Sequence, residues 1–140
     1  MEIKKYLAEF LGTFFLVATV IGSGIMGDNL SAGNEAVALL GNTIATGAIL
    51  YVIIKSFEDL SGAHFNPIVS IIFYFLKEIN LKDLIFYLVI QFVAGLLAVL
   101  SIHFILISPA NSVFFIWGSC SSISCLLYFL ISKIVWEWEM

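Results

Sequence analysis

Four stretches of this chain are long and apolar enough to cross a lipid bilayer, and that one feature excludes most folds. A crossing takes about 20 apolar residues. The blocks cover residues 3–26, 36–54, 84–107 and 113–135. Of the 140 residues, 61% are hydrophobic and only 11% charged, too few charges to clothe a water-soluble domain of this size. An all-α polytopic membrane protein follows. The chain has no arginine and no basic cluster, so nothing supports nucleic-acid binding.

Two details of the apolar blocks have competing readings. Lys4 and Lys5 precede the first block as they would in a signal peptide. However, Glu9 lies within the run, no small-residue cleavage site follows, and further spans come after it. It reads as a retained helix. The same block ends in "GSGIMG", residues 22–27, which matches G-x-G-x-x-G without the strand–helix context that gives that pattern meaning. These glycines are expected to let helices approach closely and then to end this one. In the last block Cys120 and Cys125 are five residues apart, about 140° around a helix, and read as small buried residues rather than a disulfide or metal pair.

Lysine placement orients the chain. Lys4 and Lys5 precede the first span, Lys55, Lys77 and Lys82 lie between the second and third, and Lys133 ends the fourth. With the N-terminus inside, all six lysines are cytoplasmic and the two outer loops have none, as the positive-inside rule requires. Trp136 and Trp138 then anchor the C-terminus at the inner interface. Both termini are expected in the cytoplasm, with the chain in the cell (inner) membrane.

This topology makes the segment between spans two and three informative. It reads "SGAHFNPIVS" at residues 61–70 and continues as an uncharged run to residue 76. Its ten residues from Pro67 would reach about 15 Å as a helix, half the hydrocarbon thickness. A helix lying flat on the membrane would carry lysine or arginine along one face, and this one has neither. A re-entrant half-helix over residues 67–76 is predicted instead, with residues 61–64 as extended backbone leading into it. Asn66 is suited to cap the buried end and Pro67 to stand at the first helical position. The capped end carries unpaired N–H groups and the positive pole of the helix, tolerable at membrane depth only against protein or water. The Asn66 amide is then free to donate to a passing solute, and Gly62 and Ala63 are small enough to leave it room. Glu9 in span one is costly unless satisfied, and the loop's backbone N–H groups are the donors it needs; Gln91 in span three fits the same role from the other side. His103 reads as interfacial.

"AEFLGTFFLV" (residues 8–17), "SGAHFNPIVS" and "QFVAG" (residues 91–95) together resemble the first repeat of the aquaporin, or major intrinsic protein, channels. The resemblance covers about the first 105 residues, with motifs in matching order and spacing. It implies a six-span fold of two inverted repeats, each giving one half-helix, with two asparagines meeting at the midplane to pass water or small neutral solutes in single file. Asn66 and Pro67 match the first box, with Ile68 in place of its usual alanine. His64 and the backbone of Gly62 and Ala63 match the carbonyl ladder, Glu9 and Gln91 the loop-bracing residues, and Thr46 the second-span filter position. Threonine there, smaller than the phenylalanine of strict water channels, implies a wider pore for glycerol-like or metalloid hydroxide solutes.

The departures are as informative. Pro109, in "SPANS", is the only other proline and does not form a second box, and no arginine is present for the filter. The expected organisation is therefore a first repeat over residues 1–107 and a divergent C-terminal segment over residues 108–140 carrying one further span. One such repeat is expected not to conduct alone. The alternatives are one chain of a two-chain channel and a non-conducting truncated product. A homodimeric pore needs two copies in opposite orientations, against the lysine bias. No cofactor is expected, and no cluster of bases, nucleophiles or metal ligands supports an enzyme. The expected partners are the bilayer, the solute, and a second channel-half polypeptide or further copies of the chain.

Overall fold

The computed structural model describes residues 2–107, and all secondary structure among them is helical: α1 (Glu2–Leu30), α2 (Glu35–Ser61), α3 (Pro67–Phe75) and α4 (Leu81–Ile107). Three of these are long and apolar enough to cross a membrane, and α3, at nine residues, is not. The expected fourth span, the two cysteines, Pro109 and the terminal tryptophans lie outside the described residues.

α1 is the central helix, packing on both α2 and α4, while α3 packs against α4. α1 and α4 run parallel. Lys5 Nζ meets Asp83 Oδ1 at 2.7 Å near their starts, Gln91 Nε2 donates to Glu9 Oε2 at 2.9 Å a turn or two on, and a Cβ on Gly95 would touch Val17 at 4.0 Å beyond that. Tyr6 reinforces the same end, its hydroxyl donating to Asp83 Oδ1 at 2.8 Å.

The glycines of "GSGIMG" do not end the first helix, contrary to the sequence expectation. α1 continues to Leu30, and the turn comes at Ala32 (φ 49°) and Gly33 (φ 86°). Gly27 serves close approach instead, since a Cβ there would lie 3.1 Å from the Ala38 carbonyl oxygen of α2. Asn34 then caps α2, accepting from Val37 N. α2 runs seven residues past the predicted end, to Ser61, where Gly62 turns left-handed (φ 82°) and its N–H closes on Glu58 O; Lys55 and Glu58 pair along the polar final turns (2.8 Å). Asn80 and Asp83 exchange hydrogen bonds at the start of α4, Asp83 N donating to Asn80 Oδ1 and Asn80 Nδ2 to Asp83 Oδ2, both at 2.9 Å. That reciprocal cap is why α4 begins before the apolar block does.

Candidate pore loop

Residues 62–66 join α2 to α3, and they do not run extended as the sequence implied. Ser61 is still helical, and the backbone turns left-handed at Gly62 (φ 82°), Ala63 (φ 53°) and Phe65 (φ 46°) before straightening at Asn66 (φ −148°, ψ 131°). For Ala63 and Phe65 that conformation costs about 1–2 kcal/mol each. The cause lies in α1. Glu9 is completely buried, and its carboxylate collects the loop. Oε1 accepts from Ser61 Oγ (2.7 Å) and His64 N (2.9 Å), and Oε2 from Phe65 N (2.8 Å) and Gln91 Nε2 (2.9 Å). Left-handed turns aim consecutive N–H groups at one point, and hydrogen bonds to a charged acceptor, about 1.5–3 kcal/mol each, offset the strain.

The half-helix is tied in by its own first turn. Asn66 Oδ1 accepts from Ile68 N (2.9 Å), and Pro67 occupies the first helical position. With Oδ1 so used, the Asn66 Nδ2 group has no acceptor among the described residues. Ser70, fully buried one turn on, lies 3.0 Å from His64 Nδ1 and accepts from Gln91 Nε2 at 3.0 Å, while its own hydroxyl reaches the Asn66 carbonyl at 3.3 Å. The His64 ring is sandwiched between Phe73 (4.4 Å) and Tyr87 (5.2 Å). At its far end the half-helix stops at Leu76, where Lys77 turns left-handed (φ 62°) and Glu78 N donates back to Phe73 O.

Glu9, Gln91, His64, Gly62, Ala63, Asn66 and Pro67 thus come together in one cluster around the loop. Thr46 does not join it. It is buried in α2, its hydroxyl donating to Asn42 O (3.2 Å), and Asn42 Oδ1 accepts from Ser23 Oγ of α1 (2.9 Å). His103 is exposed near the end of α4, remote in sequence from the loop. Three contributors were not singled out from the sequence: Ser61, Ser70 and Tyr87, whose hydroxyl donates to Ser61 O at 2.8 Å and closes the end of α2. Tyr87 had a readable signal, since it stands four residues before Gln91 and so on the same face of α4.

A sequence profile of the family described as "Major intrinsic protein" matches residues 1–132. The chain belongs to that family. Its motif resemblance fades near Ile107, but the family match continues into the C-terminal segment. Among curated members, it is 50% identical over 95 residues to aquaglyceroporin AqpS of Rhizobium meliloti (strain 1021), covering 68% of this chain and 40% of that protein. It is 38% identical over 96 residues to aquaporin NIP1-1 of Arabidopsis thaliana, covering 69% and 31%. It is 36% identical over 99 residues to the glycerol uptake facilitator protein-like 6 of Lactiplantibacillus plantarum, covering 68% and 40%. The chain therefore spans two fifths or less of the length of these relatives. No solved structure matches it. Members of the family are channels rather than enzymes, and with three membrane-length helices this one is an integral membrane protein of the aquaporin-like fold.

Proposed function

We propose that this chain supplies one half of a channel for passive permeation of water and small neutral solutes, glycerol-like polyols among them. The observation that carries this reading is the Asn66 cap. Its oxygen is committed to the half-helix and its amide N–H₂ is left to donate to a solute. The positive end of α3 repels cations at the same point. The carbonyls of Gly62 and Ala63, with His64 behind them, form the approach. Glu9 and Gln91 keep the loop in shape. The polyol part of the reading rests on Thr46, small for a filter position, and on relatives named as an aquaglyceroporin and a glycerol facilitator. Lysine placement supports an inner-membrane protein with a cytoplasmic N-terminus.

A pore of this kind takes a second re-entrant half-helix facing the first, from a continuation of the sequence or from another polypeptide. Reconstitution tests both halves of the proposal. Liposomes holding only these 140 residues are expected to shrink under osmotic shock no faster than empty ones. Adding the C-terminal half of a full-length relative is expected to speed shrinkage and admit glycerol. Fast shrinkage with the chain alone, or no gain on adding the second half, sinks the half-pore reading.

A further inference from the structure

Gly12 stands three residues beyond Glu9 on α1, close to a full turn, so the two positions face the same side. A Cβ on Gly12 would lie 2.1, 2.3 and 2.7 Å from Cε1, Cδ1 and Cζ of Phe65. No real Cβ tolerates such distances, and the neighbour here cannot yield cheaply. The Phe65 ring is buried against Leu16, Ile53 and Ala63, with Phe57 edge-on at 6.1 Å. Its backbone is held as well, left-handed at φ 46° with its N–H on Glu9 Oε2 at 2.8 Å. Gly27, Gly41 and Gly47 behave differently. Gly27 would meet the backbone of α2, as in an ordinary helix crossing, and Gly41 and Gly47 would meet nothing within 4 Å.

We propose that Gly12 is a positioning residue for the pore loop, its missing side chain leaving the notch in which the Phe65 ring seats. Glu9 holds Phe65 by its amide and Gly12 admits it by its ring. Two anchors at different depths on one helix fix both the position of Phe65 and its rotation about the chain. The next residue is Asn66, so the backbone from which its amide projects is placed from α1, while the bond to Ile68 N orients the amide itself. The inference rests on Asn66 being the solute-binding residue, but its test measures the loop and not transport. A failure of conduction and a failure of the notch are therefore separate results.

The test is residue-resolved amide hydrogen exchange on the whole chain in lipid nanodiscs, comparing wild type, Gly12→Ala, Phe65→Ala and the double variant. Gly12→Ala is expected to speed exchange at His64 and Phe65 by about tenfold or more, as their bonds to Glu9 open. Asp83 N, bonded to Asn80 at the start of α4, is expected to keep its protection, which distinguishes a local effect from general loosening. With the ring removed the notch has no occupant, so the double variant is expected to match Phe65→Ala at His64. That comparison stands even if Gly12→Ala alone fails to fold. Unchanged exchange at His64 in Gly12→Ala, an equal loss at Asp83, or a double variant much worse than Phe65→Ala would each overturn the proposal.

Discussion

A carboxylate has about four acceptor positions, and at Glu9 all four are taken. Replacing it by glutamine turns one oxygen into a donor that faces donors. Glu9→Gln is expected to destabilise the chain by on the order of 3 kcal/mol, read as a lower thermal midpoint in detergent micelles, and an unchanged midpoint would refute the bracing role. How much of this was legible in the sequence depends on the residue. Glu9 and Gln91 stood out because polar groups inside apolar helices demand partners. The left-handed turns at Ala63 and Phe65 did not, because neither residue type favours them. They are imposed by a group 55 and 56 positions away from the amides it holds, and a local pattern cannot register such a constraint.

At the scale of elements, α3 separates the observed role of Asn66 as a cap from its proposed role as a donor to solute. As a cap it needs only an oxygen; as a donor to solute it needs its nitrogen. Asn66→Asp keeps the acceptor and Asn66→Ala removes it, a loss of about 1 kcal/mol of helix stability. Amide exchange at Ile68, whose N–H the Asn66 side chain accepts, is expected to be slower in the Asp variant than in the Ala variant, while solute flux through a co-reconstituted pore is expected to fall in both. Flux retained by the Asp variant would remove the donor role. Element existence was readable here, since a proline after a capping residue and an uncharged run bound by topology leave little choice. Element ends were not. The glycines near Gly27 resembled a stop signal because the same small residue that ends helices also lets them touch, and only packing against Ala38 decides between the two.

At the scale of the molecule, the orientation rests on six lysines and predicts a labelling result. Lys4, exposed and ahead of the first span, is expected to react with a membrane-impermeant amine reagent in inside-out vesicles and to be silent in right-side-out ones. The reverse pattern would invert the whole assignment, the half-helix included. The reach of Glu9 has a further consequence, for how the chain is made. Its partners lie 52, 55, 56 and 82 residues downstream, and a ribosome adds only about 5–20 residues per second. For several seconds of synthesis the first helix is in place while the groups that satisfy its acid do not yet exist. During that interval the helix has reason to stay beside water or within the insertion machinery, until the loop brings three of the partners and the third span the last.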